Sequence, residues 1–444
     1  MTNYERLRRI ERLAWLAIGL AVIALIVSVA NAQPPEAIAA AVQDHEQARA
    51  AGIDTRYLWL PTGEGTPVAQ FVAVFASRQS LLDQCQPVPI VDGLVRLNLT
   101  GLQWTVADWS AVFGAKSNPY ALSDNPLVVN GGYAIDRLTD ATRSDAYLRF
   151  VSGPEPAPKT QAEAFTMFGL DPAKSRSGAY GWVEAASKVN VTPNAARLVR
   201  HDDGIGTESW ITFDVRAPDG LDPLEDLGPD IAHDASETFI LRPLVSTTGL
   251  RGIMPVVFLA DGKGKLVAEA PADIVIDDTR FGGIATIRTP GSCVVCHASG
   301  PKMPSLNGLA DRLRAGVQLL ATGERKVEVE LFHLGSVQRD LDRWQDGYAE
   351  SVAAINGLTP EANGAAIAAF VLDYRADVDL ERAALELACE PGELRLALAD
   401  ASRLQYAIGS RLAGLAHGIP MPRSSFESKY RQAKALLNSW RESK

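Results

Sequence analysis

The chain has 444 residues, 47% of them hydrophobic and 22% charged, so at about 150 residues per domain it is long enough for two or three globular domains. This composition excludes a largely disordered chain, and four cysteines are too few for a disulfide-stapled mini-protein. The net charge is −10 with no sustained basic stretch, which argues against a nucleic-acid partner.

A long apolar segment follows a basic N-terminus. Residues 13–30 form a run of 18 uncharged and mostly apolar positions, and four arginines precede it. The triplet Ala30-Asn31-Ala32 matches the small-residue site of a signal peptidase, yet the run nearly spans a bilayer. We therefore expect residues 1–32 to be a cleaved signal peptide or a membrane anchor helix, with residues 13–32 as the membrane tether in the second case. The rest of the chain is then expected in the periplasm or on the outer face of the cytoplasmic membrane.

Region 33–177 combines helical and strand patterns. Apolar residues at helical spacing indicate helices, whereas Val95 and Leu97 alternate with polar residues as in a half-buried strand. Asp92-Gly93 is typical of a tight hairpin turn. The predicted elements are a helix over 36–51 that ends at Gly52, a helix over 68–75, and a hairpin of strands over 88–91 and 95–99.

Region 178–305 has mainly strand patterns. Strands are predicted over 194–201 and 209–215, on either side of a turn-rich segment. A second hairpin is predicted between Pro255–Ala260 and Leu266–Glu269, because the intervening glycines permit the positive φ angles of a tight turn. This region ends in a C-x-x-C-H motif.

Region 306–444 is expected to be a helical C-terminal domain. Its segments share helix-like spacing of apolar residues. The predicted helices cover 306–320, 335–355, 360–374, 380–388, 391–398, 402–415 and 424–440. The predicted fold class is therefore α+β: an N-terminal signal or anchor helix, a mixed body with antiparallel β-hairpins, the C-x-x-C-H motif, and then helices.

The motif Cys293-Val294-Val295-Cys296-His297 is the attachment signature of a c-type haem. Two cysteines at i and i+3 lie on one face of a helical turn, so both thiols can reach the same porphyrin edge and bond to its vinyl groups. The histidine that follows is placed to bind the iron as the proximal ligand. We expect Cys293, Cys296 and His297 to hold one covalent haem c.

Two other sites also use C-x-x-C, namely a thioredoxin-like dithiol and half of a zinc site. A four-cysteine zinc site needs a second pair of closely spaced cysteines, but neither Cys85 nor Cys389 has another cysteine near it in the sequence. A thioredoxin-like motif would not require His297. Cys85 and Cys389 are expected either to form a disulfide or to be buried free thiols.

The sixth iron position stays open at this stage. Met303 is the first methionine after the motif, although six residues span at most about 20 Å and barely reach the far face of a porphyrin. An unfilled position is a further alternative. The other candidates are Met254, Met421, His201, His233, His333 and His417. Arg288 and Lys302 flank the motif and are expected either to pair with haem propionates or to be solvated charges.

Four segments resemble a family of exported bacterial mono-haem proteins described as cytochrome c-domain proteins. They are Leu94–Phe113, Asn194–Val215, Met254–Asp278 and the stretch Arg288–His297. The resemblance spans about Arg56 to Glu427. It implies that the haem motif follows a β-rich scaffold and precedes a helical one, and it carries over Cys293, Cys296 and His297 as functional residues. It implies no substrate.

These observations predict an exported electron-transfer cytochrome, more an electron carrier than an enzyme. Its partner would be a redox protein with a basic docking patch, because this chain is acidic. One alternative is a five-coordinate haem that acts as a peroxidase or a small-ligand sensor, since over 400 residues is a large scaffold for one haem. The other is a haem-bearing structural or binding module of a larger redox assembly.

Overall fold

The computed structural model describes the chain in fifteen stretches. They are residues 35–60, 82–116, 118–121, 123, 125–142, 146–152, 156–170, 176–184, 194–202, 207–215, 235–270, 276–277, 280–298, 336–403 and 410–444. The expected signal or anchor helix over 1–32 and the helices predicted over 68–75 and 306–320 lie outside these stretches. Within them, no helix is long and apolar enough to cross a membrane.

The N-terminal body contains a four-stranded mixed sheet with helices packed against it. The strand order is β2-β3-β1-β4, with β1 antiparallel to β3 and parallel to β4. The strands are β1 (Thr55–Trp59), β2 (Val88–Val91), β3 (Leu94–Asn98) and β4 (Val128–Asn130). The helices are α1 (Pro35–Ala50), α2 (Leu82–Cys85), α3 (Val106–Phe113), α4 (Gly131–Thr139), α5 (Ala146–Ser152) and α6 (Gln161–Met167).

Local sequence explains why the predicted hairpin and the first helix are present. Val95 and Leu97 are buried while Arg96 is half-buried, which is the alternation of a strand with one covered face. Gly93 makes the turn at φ 71°, and an added Cβ there would lie 2.7 Å from the carbonyl oxygen of Leu60. Helix α1 ends before Gly52, whose φ is 76°. Both predictions are confirmed.

The middle of the chain forms a six-stranded antiparallel sheet of neighbouring strands in the order β10-β9-β8-β7-β6-β5. The strands are β5 (Arg176–Glu184), β6 (Asn194–Asp202), β7 (Glu208–Val215), β8 (Ala235–Ser246), β9 (Gly249–Asp261) and β10 (Leu266–Val267). Both hairpins predicted in this region are confirmed. The long β8–β9 hairpin was not predicted from sequence: no strand was expected over β8, and β9 begins six residues before the predicted strand.

The C-terminal part is helical, as predicted. Following the motif helix α7 (Gly291–Cys296), it contains α8 (Ser336–Asn356), α9 (Pro360–Arg375), α10 (Leu380–Leu387), α11 (Pro391–Arg403), α12 (Ser410–Ala416) and α13 (Arg423–Glu442). Side-chain caps define two of the starts, since Thr359 accepts from the amide of Ala362 and Asp379 from that of Arg382.

The core consists of two main hydrophobic clusters. The first combines Trp109 of α3, Trp210 of β7, Cys293 of α7 and Trp344 of α8, so it draws on all three of the regions predicted from sequence. The second lies among α9 to α13 and includes Tyr133 from the N-terminal body. The predicted regions 33–177, 178–305 and 306–444 therefore share buried surface, and their boundaries remain predictions.

Gly252 lets α8 pack closely on β9, and this contact can be tested. Its φ is 68°, and an added Cβ would lie 1.7 Å from Ser351 Oγ. Gly252→Ala should lower the free energy of unfolding by about 2–4 kcal/mol, the sum of backbone strain and overpacking. Gly264→Ala is the control, because its φ is 74° but no atom lies within 4 Å of the added Cβ. Urea unfolding that gives equal losses for the two variants would contradict close packing at Gly252.

Candidate functional site

The C-x-x-C-H motif forms a single short helix, α7, as its spacing requires. Ser292 Oγ accepts from the backbone amide of Arg288 at 3.0 Å, which holds the start of the helix. The amide of His297 donates to the Cys293 carbonyl at 2.8 Å and closes the last turn. Cys293, Cys296 and His297 therefore lie on adjoining positions of one turn.

Helix α7 and the histidine that follows it pack against β8 of the large sheet and against α9. The ring of Phe239 on β8 meets the His297 imidazole edge to face, with 5.0 Å between centroids. A Cβ at Gly364 of α9 would lie 3.3 Å from that of Ala298. At Gly291, an added Cβ would lie 2.2 Å from the ring of Phe281, so glycine is needed for this approach.

The three motif residues differ in their exposure to solvent. Cys293 is only 1% exposed and belongs to the first hydrophobic cluster. Cys296 is half-buried, and the side chain of His297 is 25% exposed. Cys293 is thus buried in the core, while Cys296 and His297 are partly exposed.

Glu237 on β8 contacts two of the motif residues. Its Oε2 lies 3.5 Å from His297 Nε2, and its carboxylate lies near the Cys293 thiol. Burial raises the pKa of Cys293 well above its usual range, and the negative charge of Glu237 adds to this effect. His297 Nδ1 is buried and has no hydrogen-bond partner among the described residues.

Arg288 connects the motif to a buried ionic network. Its Nη1 lies 3.1 Å from Asp140 Oδ2 and its Nη2 lies 2.7 Å from Glu269 Oε1. Arg375 of α9 binds the same Asp140 oxygen at 2.7 Å and reaches Asp136 at 2.6 Å. Arg288 is therefore already paired with carboxylates of this chain, and it is not a solvated charge beside a turn. Lys302 lies outside the described residues.

Among the candidates for the sixth iron position, the structure describes the side chains of Met421 and His417. Met303, His233 and His333 lie outside the described residues, and the side chains of Met254 in β9 and His201 in β6 are not described. Met421 is 1% exposed and packs in the second hydrophobic cluster, away from the cluster that holds Cys293. His417 is exposed in the turn after α12.

Cys389 carries a free thiol, in line with the free-thiol alternative considered for it. Its Sγ donates to the carbonyl of Ala384 at 3.6 Å, and burial raises its pKa to about 11. The side chain of Cys85 at the end of α2 is not described.

Sequence reasoning missed Glu237 and Phe239. The two residues are two positions apart on β8, so the alternation of a strand places both side chains on one face of the sheet. No local sequence signal indicates that this face contacts α7 and His297. Asp140 was missed for the same reason, since it lies 148 residues from its partner Arg288.

The donor set fits a c-type haem in chemistry and spacing. Two thiols and an imidazole lie on one turn, and a buried imidazole nitrogen has no partner among the described residues. In the described part of the chain, no group of three or more His, Cys, Asp or Glu side chains is arranged to hold a bare metal ion. The chain matches no protein-family model, no curated protein and no solved structure. The resemblance to mono-haem proteins stays a prediction.

The network at Asp140 should support the site, because its carboxylate is wholly buried between two arginines. Asp140→Asn removes the charge that both guanidinium groups share, and we expect a loss of about 3–5 kcal/mol in the free energy of unfolding. Glu393→Gln is the control, since Glu393 pairs with Arg441 near the surface and should cost at most about 1 kcal/mol. Similar denaturation midpoints for the two variants would contradict a supporting role for the buried network.

Proposed function

We propose that this chain is an exported c-type cytochrome that carries one covalently attached haem and transfers electrons. The observation that carries the proposal is the placement of Cys293, Cys296 and His297 on one closed turn of α7. Thioether bonds need both thiols on one side of a helical turn, and iron ligation needs an imidazole next to them. When bound, the haem supplies a one-electron ferric–ferrous couple.

Each motif residue has a role that follows from its surroundings. Cys293 would hold one porphyrin edge from within the core, which limits the movement of the group. Cys296 would hold the neighbouring position nearer the surface. His297 would supply an imidazole nitrogen to the iron, and Phe239 packs edge to face with its ring. Because a buried site excludes water, this environment would tune the potential of the group.

The surroundings of Cys293 argue against the thioredoxin-like alternative. A redox-exchange cysteine reacts as a thiolate, so its pKa is usually lowered. Here burial and Glu237 raise the pKa of Cys293, and the residue is 1% exposed. Helix α7 also follows a loop and not the first strand of a βαβ unit, since the large sheet is antiparallel.

Covalent attachment is the first property to measure. We expect a pyridine haemochrome assay on protein matured in an exporting bacterium to give one haem c per chain. Cys293→Ala and Cys296→Ala should lose the two-thioether spectrum, whereas Cys389→Ala should keep it because that thiol lies in the helical bundle. Wild-type protein without haem would disprove the proposal.

Carbon monoxide separates the electron carrier from its rivals. We expect low-spin spectra in both oxidation states and no change of the reduced spectrum with carbon monoxide, because an electron carrier fills both axial positions. A high-spin spectrum that shifts with carbon monoxide would instead support the five-coordinate peroxidase or sensor. A stable assembly whose redox activity survives His297→Ala would support the structural module.

The partner is expected to carry a basic patch, because the chain has a net charge of −10. Electron exchange with a lysine-rich redox protein should slow at least several-fold when ionic strength rises from about 0.01 M to about 0.15 M, since the Debye length falls from about 30 Å to about 8 Å. Stopped-flow kinetics would measure this, with a neutral small-molecule reductant as the control. Equal salt dependence for both reductants would contradict electrostatic steering.

A further inference from the structure

Helix α1 is joined to the four-stranded sheet by a chain of hydrogen bonds through four side chains. His45 Nδ1 lies 2.7 Å from Thr55 Oγ1, which lies 3.1 Å from Tyr57 Oη. Tyr57 Oη in turn donates to Asp44 Oδ2 at 2.6 Å. His45 and Asp44 are on α1, whereas Thr55 and Tyr57 are on β1. The chain therefore leaves the helix at one residue, crosses two side chains of the strand and returns to the neighbouring residue of the helix.

The carboxylate at the end determines the direction of every hydrogen bond in this chain. Arg96 of β3 pairs with Asp44 at 3.0 Å, and an ionised carboxylate only accepts, so the phenolic proton of Tyr57 is directed at Asp44. The Tyr57 oxygen then accepts from Thr55. Since Thr55 has one hydroxyl proton, its oxygen accepts from His45. Neutral His45 therefore carries its proton on Nδ1, and protonation in acid takes place at Nε2.

This chain is a substantial part of what holds α1 on the sheet. Among the described side chains of α1, the buried apolar ones are Ile38 and three alanines, and each alanine removes only one methyl group from water. By contrast, Thr55 and Tyr57 are 0% exposed, so their hydroxyl groups need hydrogen-bond partners, and α1 supplies them. Release of α1 would leave these hydroxyl groups without their protein partners.

We propose that these four side chains form a pH-sensitive switch, which holds α1 on the four-stranded sheet at neutral pH and weakens as His45 takes up a proton. Helix α1 is the first described element after residues 1–32. If residues 13–32 remain as a membrane tether, α1 connects that tether to the body, and its release would loosen the connection. The inference does not depend on the proposed haem function.

The surroundings of His45 determine the direction of the pH effect. Burial lowers the pKa of His45 below its ordinary value of 6.5, and the positive charges of Arg56 on β1 and Arg49 on α1 lower it further. Asp54 before β1 and Asp44 on α1 raise it, but the net shift is downward. The released helix therefore binds the proton more readily than the docked one. Docking is fully favoured above about pH 6.5 and weakens as the pH falls below that value.

Hydrogen–deuterium exchange of the full chain tests the switch, with each exchange rate divided by the intrinsic rate at the same pH. We expect the protection of the α1 amides to fall about threefold to tenfold from about pH 7.5 to about pH 5.5. His45→Gln keeps an N–H donor for Thr55 but has no group that titrates in this range, so its α1 protection should stay constant. His417→Gln is the matched control, because it removes an exposed histidine after α12 and should retain the wild-type fall. The α13 amides should keep their protection throughout.

Thr55→Val tests the hydrogen-bond chain at neutral pH. Valine has nearly the same shape as threonine but no hydroxyl, so we expect α1 protection to fall about threefold to tenfold at about pH 7.5, as for a lost hydrogen bond. Unchanged α1 protection in this variant would overturn the inference, and so would wild-type protection that does not vary with pH. A fall that persists in His45→Gln would assign the effect to another group, and an equal fall in α13 would mean that the whole chain loosens. Either result would also overturn the switch.

Discussion

Two buried aspartates impose the constraint on which the rest of the site depends. Asp136 and Asp140 are 0% exposed, and a buried carboxylate without a cation costs several kcal/mol. Arg375 of α9 binds both of them, and Arg288 of the motif loop shares Asp140. The end of α4, helix α9 and the loop before α7 are therefore held together, because moving any one of them would leave a buried charge unpaired.

The network continues into the C-terminal helices and explains why they pack on the N-terminal body. Arg137 beside Asp136 reaches Glu427 of α13 at 3.0 Å, and Tyr374 donates to the other oxygen of that carboxylate at 2.7 Å. A second buried pair, Arg423 with Glu386 at 2.8 Å, joins α13 to α10, and Tyr120 of the N-terminal body donates to this Glu386 carboxylate at 3.1 Å. Hydrophobic packing supplies most of the driving force for this contact, but it has no direction. The ion pairs add direction, since each guanidinium donates to its partner carboxylate only in a narrow geometry.

The sequence predicted the turns and helix starts that neighbouring residues determine, but it did not predict contacts between residues far apart in the chain. Asp92-Gly93 and the glycines after Asp261 specify their hairpins locally, and the caps at Thr359 and Asp379 specify where helices begin. The C-x-x-C-H helix was equally predictable, because cysteines at i and i+3 fit one turn of a helix. By contrast, Glu237 and His297 are 60 residues apart, and alternation along β8 indicates a face without indicating what covers it. Arg288 shows the same limit, since its flanking position suggested a cofactor partner or a solvated charge, while its actual partners come from elsewhere in the chain.

Helix α7 is closely packed, and of its two cysteines Cys293 is buried while Cys296 is partly exposed. This arrangement favours a thiol that bonds once to a group over a thiol that undergoes repeated thiol–disulfide exchange. Gly291 and Gly364 allow α7 to be enclosed between Phe281 and α9, so the turn has little room to rearrange. A thiol that cycles between partners has to be accessible and easily ionised, and Cys293 is neither. A thiol that reacts once and then stays bonded can be enclosed, because its environment afterwards serves only to keep the bound group in place. Cys296 and His297 are partly exposed, so under the proposed function they would lie on the side from which an electron reaches a partner.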